Sequence, residues 1–367
     1  MSNYINTNKE LFCGDRYFFE HVMPKNFNYR NHKKELSPYF EKHGFKVSMM
    51  YNDYYSTLNG VSSDQYVSMD LFYFYILPCL NKGKFESAYT DKNMYTTFFA
   101  GFPQPTTVIK NQNGHWINSL NEEVSYSEAC KIILEVQTEM IIKPTIDSCN
   151  GDGVARFLNT NLDLVKEQLL TYKQDFIIQE KVRQHQSLTL FNESSLNTVR
   201  IFTYRTVAQD IVVLPHSMFF RFGGAGTVKD NASAGGGFCK VNMDGTLEDT
   251  IYHFCSMQKG SFARDKQILS PKLPNIEQAF DMLKKMHSKM PYFDIIGWDV
   301  AFVEDGSPLF IEMNTMPSCE APQIPQGPLF GEYIDEIMKR VKGSVRSFAT
   351  YQRNTFVNGN YYMLQIS

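Results

Sequence analysis

The pattern of apolar and polar positions is most informative near the C-terminal end, over Ile295-Ile-Gly-Trp-Asp-Val-Ala-Phe-Val-Glu-Asp-Gly-Ser-Pro-Leu-Phe-Ile-Glu-Met-Asn314. Two apolar runs flank Glu304-Asp305-Gly306-Ser307, which predicts a β-hairpin with a four-residue loop. Pairing Val303 with Pro308 and counting back places Asp299 opposite Glu312. Asn314 lies two residues on and shares that face.

Elsewhere the pattern predicts mixed elements. Residues 1–90 are rich in Tyr, Phe, Asn and Lys and read as helices and loops, including a segment over 64–80 ended by Pro78. A short helix follows Asp91-Lys92-Asn93, and Gly101-Phe-Pro-Gln-Pro105 breaks into a strand at 106–110. Residues 127–136 carry helical spacing, and 139–143 form a β-type run cut off by Pro144. An amphipathic helix is expected over 159–172, capped by Asn159 or Asn161, with Leu162, Val165, Leu169 and Leu170 inward. Strands are expected at 176–182, 198–205, 211–222 and 236–242, the last with a turn at Asp244-Gly245. Helices are expected at 276–290, with Ile276, Phe280, Leu283 and Met290 near one face, and at 332–345, packed on the sheet. Strands and helices are interspersed with mostly hairpin connections, so the fold class is α+β rather than a doubly wound parallel sheet. No internal repeat, dinucleotide fingerprint or P-loop is present.

The hairpin carries the first chemistry. Two carboxylates and an amide oxygen converging from adjacent strands suit a hard, octahedral Mg2+ that carries phosphates. Both carboxylates sit within apolar runs, where an unpaired charge is costly. The alternative is a pair of core polar groups satisfied by the protein itself.

Composition narrows the classes. With 367 residues the chain can build two or three subdomains. Charged residues make up 20% and the net charge is −3, so no extended nucleic-acid surface is expected. Aromatic content of 14% favours a packed core over disorder. The seven cysteines are odd in number and lack metal-ligand or CxxC spacing; with a polar start at 1–10, free thiols in a reducing compartment are the expectation. The longest apolar stretch, 71–80, is too short to span a bilayer, so a cytoplasmic protein is expected.

Further motifs bear on phosphate chemistry. Lys143 ends an apolar strand ahead of Asp147-Ser-Cys-Asn150-Gly151-Asp-Gly153, a way to bring a cation and backbone amides to a phosphate chain. A plain hairpin turn is the competing reading. Lys92 is a second phosphate cation or a solvated surface lysine. The strand 176–182 turns polar at Gln179-Glu180-Lys181-Val182, where its edge can meet the amino edge of a purine or merely end. Arg200, mid-strand in Asn197-Thr-Val-Arg-Ile-Phe-Thr-Tyr-Arg205, needs an anion; an internal carboxylate or a substrate phosphate would serve, and the phosphate is favoured. Arg221 ends another strand ahead of Gly223-Gly-Ala-Gly226 and Asp230-Asn231-Ala-Ser-Ala-Gly-Gly-Gly237, which read as a close-approach loop at a substrate site or as a surface loop. No His is placed to activate Cys149 or Cys319 as a nucleophile.

In order, these pieces resemble the ATP-grasp superfamily. The match rests on Asp91-Lys92, Ile141-Ile-Lys143-Pro with Gly151-x-Gly153, Gln179-Glu-Lys-Val182, Thr198-Val-Arg200, and Asp299 with Glu312-x-Asn314. Glu312-Met-Asn-Thr-Met-Pro317 is similar to the metal-binding strand of D-alanine–D-alanine ligases. Tyr89-Thr-Asp-Lys-Asn93, Asn197-Thr-Val-Arg200 and Asp230-Asn-x-Ser-x-Gly-Gly236 resemble the sugar-transfer-associated group, suspected of acting in cell-surface polysaccharide synthesis.

The resemblance implies two α+β lobes clasping ATP. It divides the chain into a mainly helical extension (1–90), a nucleotide-binding lobe with a glycine-containing lid (91–182), a catalytic and metal-binding lobe (183–345) and a tail (346–367). Lys92, Lys143, Asn150, Gly151 and Gly153 would hold the phosphates. Gln179, Glu180, Lys181 and Val182 would be the adenine hinge, with Glu180 near the exocyclic amine. Asp299, Glu312 and Asn314 would bind one or two Mg2+ ions. Arg200, Arg221 and Asn231 would be catalytic. An acidic ribose ligand past the hinge is missing, with Gln184 or Glu193 as substitutes. The implied reaction is phosphoryl transfer from ATP to a carboxylate, then attack by an amine, on small and possibly sugar-linked substrates. A kinase acting on a hydroxyl, or a non-catalytic nucleotide-binding scaffold, are the alternatives.

Overall fold

Six short strands build the smaller of two main sheets: β1 (Thr107–Gln112), β2 (His115–Asn118), β3 (Glu123–Val124), β4 (Met140–Pro144), β5 (Ala155–Phe157) and β6 (Phe176–Glu180), ordered β3-β2-β1-β6-β4-β5. The structure, a computed structural model, describes residues 23–24, 27, 35–146, 152–224, 236–254, 256–269, 271–345, 353–357 and 360–364. Two helices pack on this sheet. Ser125 caps Tyr126–Glu135, accepting a hydrogen bond from the Glu128 amide, and Asn161 caps Leu162–Tyr172 through the Leu164 amide. Val165 and Leu169 are buried with Ile109, Ile133, Ile142 and Ile178. Leu162 and Leu170, expected inward, are exposed. Val165 and Leu169 are the fully buried members of this helix, with Tyr172 partly buried against the same cluster.

The larger sheet holds β7 (Thr198–Arg205), β8 (Ile211–Val213), β9 (Phe219–Phe222), β10 (Gly237–Lys240), β11 (Thr250–Tyr252), β12 (Lys259–Ser261), β13 (Ile295–Phe302) and β14 (Pro308–Asn314). Its order is β12-β11-β10-β9-β7-β13-β14, with β8 also on β7. The single strand expected at 211–222 is split, because Pro215 opens a 3-10 turn, Pro215–Ser217, that lifts the chain off β7 before β9 begins. Every strand pairing among the described residues is antiparallel, in keeping with the α+β class.

Both faces of this sheet are covered. Ile276–Ser288 lies on one, burying Ile276, Phe280 and Leu283 against Trp298 and Val300. On the other, Phe202, Tyr204, Phe219 and Phe238 meet helices from both ends of the chain: Met50–Asn59, the segment 69–80, Glu320–Gln326 and Ile334–Val345. Pro78 does not end the 69–80 helix as expected. A π-helical stretch, Phe72–Ile76, precedes it, and the Leu77 amide reaches back to the Phe72 carbonyl. This wider turn lets the ring in, and the helix continues to a bond from the Asn81 amide to the Leu77 carbonyl at 2.7 Å. Within 346–367, β15 (Arg353–Val357) and β16 (Asn360–Leu364) pair as a hairpin. Among the described residues no helix is long and apolar enough to cross a membrane.

Candidate active site

The β13–β14 hairpin does not start where plain counting puts it. Phe302, not Val303, faces Pro308, and Val303 and Ser307 instead close the turn through a 3.0 Å bond from the Val303 amide to the Ser307 carbonyl. A β-bulge then takes up the missing residue. Val300 faces Phe310, Ile311 is passed over, and Asp299 faces Glu312 as expected. Asn314 faces Gly297. That glycine is needed: a Cβ there would lie 2.8 Å from the Pro317 ring, which folds back over the strand beside Arg200.

The same face continues on β7 and β9. Arg200 is the partner of Asp299 across β13–β7, and Arg221 faces Thr198, two residues before Arg200. Their side chains converge on Asp299. Arg200 binds it in a two-pronged fashion, Nε to Oδ1 and Nη2 to Oδ2 at 2.8 Å, while Arg221 Nη2 reaches Oδ2 at 2.9 Å and donates to Thr198 at 2.9 Å. In the structure Arg200 meets an internal carboxylate, the alternative to the phosphate favoured from sequence. Asp299 is only 3% exposed. Burial alone would raise its pKa, but the two guanidinium charges and their hydrogen bonds outweigh it and hold the carboxyl below its usual range.

Glu312 has a different neighbour. Lys92 Nζ lies 3.0 Å from its Oε1. The backbone around Lys92 ties the two sheets together: Asp91 caps the 3-10 turn Lys92–Met94, the Lys92 amide donates to Thr145, Asn93 donates to Asn111 and Thr145, and the Tyr95 hydroxyl meets the Met313 backbone. Lys92 is buried, so the solvated-surface alternative does not hold. Lys143, on β4, is half-buried, and burial together with repulsion from Lys92 lowers its pKa to about 8 against the pull of Glu312. Lys92 thus pairs with Glu312, which also draws Lys143, while Arg200 and Arg221 share Asp299.

Past β6 the chain crosses from one sheet to the other, and the His185 amide bonds the Phe302 carbonyl at 2.8 Å. The amides of Glu180 and Lys181 are taken by the carbonyls of Thr106 and Glu139, and their side chains by Thr138 and Glu139. The Glu180 carboxylate thus binds the Thr138 hydroxyl. Gln179 faces Thr107 and Ile141 in the sheet, and among the described residues no backbone carbonyl takes the Val182 amide. Gly153 has a φ of 74°, and a Cβ there would lie 2.6 Å from Pro144, so Gly153 itself packs closely against Lys143's neighbour. Asn150, Gly151 and Asn231 lie outside the described residues.

Gln184 is not a free ribose ligand: its amide group binds the carbonyls of Asn192 and Ser195 and the backbone and side-chain nitrogens of Asn197. Glu193 is exposed nearby. Cys319 is fully buried in the apolar core. Two acids missed by sequence reasoning flank the segment after β14. Burial lifts the Glu86 carboxyl to about 7 beside the Thr315 hydroxyl, and burial also raises Glu320. Neither lies in an alternating strand or a glycine loop, so no local pattern marks them.

Oxygen donors for a magnesium ion can be tested against this arrangement. Glu312 fits, with a side chain 31% exposed, and Asn314, two residues on along the same strand face, brings an amide oxygen to the same side. Asp299 fits poorly, since its side chain is 4% exposed and both oxygens hold arginines. Among the described residues no three His, Cys, Asp or Glu side chains cluster as a metal site.

Two antiparallel sheets joined by a crossing segment, with lysines from the smaller side meeting a carboxylate hairpin of the larger, fit the ATP-grasp class. The chain matches the family described as sugar-transfer associated ATP-grasp over residues 75–339, and it belongs to that family. Solved structures with some likeness include an N5-carboxyaminoimidazole ribonucleotide synthetase in an ADP complex (13% identity, 64% of this chain and 45% of that one, TM-score 0.36). Others are the VanG D-Ala:D-Ser ligase from Enterococcus faecalis (14%, 69% and 61%, 0.41) and the D-cycloserine synthetase DcsG (12%, 71% and 70%, 0.39). The chain spans less than half the length of the first of these. No curated protein sequence matches it.

Proposed function

We propose that this protein is an ATP-dependent ligase that joins a carboxylate to an amine through an acylphosphate, on a sugar-linked substrate of cell-surface polysaccharide or related precursor synthesis. The observation that carries the reading is the meeting of Lys92 and Lys143 with Glu312 across the two sheets, a cationic cradle around a part-exposed carboxylate. Such a cradle suits a polyphosphate that arrives with its own divalent cation. Magnesium, held through Glu312 and Asn314, would offset charge on the phosphates when bound.

The chain's own residues supply the rest. Lys92 and Lys143 orient the phosphates, and the loop carrying Gly151 and Gly153 covers them. The stretch from Gln179 to Val182 receives the adenine, with the Val182 amide as donor, and Glu193 takes the ribose. Arg200 and Arg221 steady the charge that develops on the acceptor side. The family's description favours a sugar-linked acceptor, and a need for ATP favours a cytoplasmic protein.

The test is a screen of candidate acids and amines for ADP production with Mg2+ present, followed by mass spectrometry of the product. ADP release that requires both an acid and an amine, with an amide product, is the expected result. Release with the amine absent, leaving a stable phosphorylated product, would make the protein a kinase.

A further inference from the structure

The two carboxylates that face each other on the hairpin are treated differently by the protein. Directly opposed like charges repel, so each needs a counter-charge. Glu312 takes its counter-charge from outside the larger sheet, through an ion pair with Lys92, and its side chain stays 31% exposed. Asp299 takes two cations from strands of its own sheet, in a row that runs from β14 through β13 to β7 and β9.

From this we infer that Asp299 is a positioning residue. It holds Arg200 and Arg221 as a preformed oxyanion clamp, and the divalent metal is held by Glu312 and Asn314 without it. The inference rests on the nucleotide reading above and departs from the three-ligand metal set expected from sequence.

The geometry favours this division in three ways. Both Asp299 oxygens already accept charged hydrogen bonds, two of them from Arg200. A metal on Asp299 would sit beside two guanidinium groups that cannot give up their charge. Pulling Asp299 away to reach a metal would leave both arginines half-buried and without their shared partner. With Asp299 in place, the guanidinium faces are fixed in orientation, which is what recognition of a phosphoryl or carboxylate oxygen demands.

The experiment is isothermal titration of the full-length protein with Mn2+ and ADP, for wild type, Asp299→Asn and Glu312→Gln, followed by orthophosphate added to each Mn·ADP complex. Asp299→Asn is expected to keep Mn·ADP affinity within about threefold and to weaken orthophosphate about tenfold, whereas Glu312→Gln weakens Mn·ADP at least about tenfold. Loss of Mn·ADP affinity in Asp299→Asn as large as in Glu312→Gln, with orthophosphate binding intact, would overturn the inference. Should Asp299→Asn fail to fold, a crystal of the wild-type protein grown with Mn2+ and ADP decides: an anomalous peak bonded to Glu312 and Asn314, with Asp299 still on its arginines, supports the clamp, and a manganese–Asp299 bond refutes it. Wild-type protein that binds no Mn·ADP would remove the nucleotide reading and this inference together.

Discussion

The charged groups on the two sides of the cleft follow opposite rules. On the larger sheet, Asp299 is saturated by Arg200 and Arg221, and its carboxyl is held in the ionised form. Toward the smaller sheet, Lys143 is desolvated beside another lysine and titrates near neutrality, at about 8. The first arrangement is held in place before a ligand arrives, so its arginines are oriented in advance. The second is strained until an anion arrives, as a desolvated cation beside another cation must be.

Removing one partner from the complete cluster has the largest expected effect on the fold. Arg200→Met leaves Asp299 buried with half its counter-charge and should cost about 3 kcal/mol, read by urea denaturation. A loss near zero would erase the distinction between the two sides.

Lys143→Met should behave in the reverse sense, weakening Mg·ADP binding by about tenfold or more while leaving the fold as stable or more so. The linkage has a definite sign. With a folded pKa of about 8, below the usual lysine value of 10.5, the native state carries a desolvation cost wherever Lys143 is charged. That cost is full below pH 8 and fades between 8 and 10.5, so wild-type stability rises across that window and the variant's advantage shrinks. Nucleotide affinity of the wild type should fall as pH climbs through 8, and the variant should lack that inflection. Calorimetric titration between pH 6.5 and 9.5 checks both.

Much of this site was legible in the sequence, though not always for the right reason. The facing of Asp299 and Glu312 follows from the hairpin pattern, yet the count that placed them assumed a turn one residue shorter than the real one. The bulge at Ile311 cancels that error. A bulge is a property of how a strand bends in its sheet, and alternation alone does not encode it. Arg200 in an apolar strand correctly signalled an anion, but the strand's own sequence says nothing about which carboxylate lies on the neighbour. Pro78 read as a stop because the π turn that accommodates it leaves no mark in composition. Leu162 and Leu170 read as inward because periodicity gives a face and not its width.

Glu86 sharpens the comparison at its smallest scale, since it is a third acid near the hairpin and follows neither rule. Among the described residues no ion pair meets it, and its one side-chain neighbour of consequence is the Thr315 hydroxyl, one residue past Asn314. Burial therefore governs, and the carboxyl titrates at about 7 instead of 4.5. The native state then binds more protons than the unfolded chain between pH 4.5 and 7. Stability from this group is complete below 4.5 and is lost as pH rises through 7. Glu86→Gln keeps the shape and removes the charge, so it should flatten that part of the stability profile and gain on the order of 1 kcal/mol over wild type at pH 8, after allowance for solvent screening of a partly exposed group. Denaturant midpoints measured from pH 4 to 8 provide the check. An unchanged slope would mean that Glu86 has a counter-cation in solution, and the division between satisfied and unsatisfied charges would then stop at the arginine clamp.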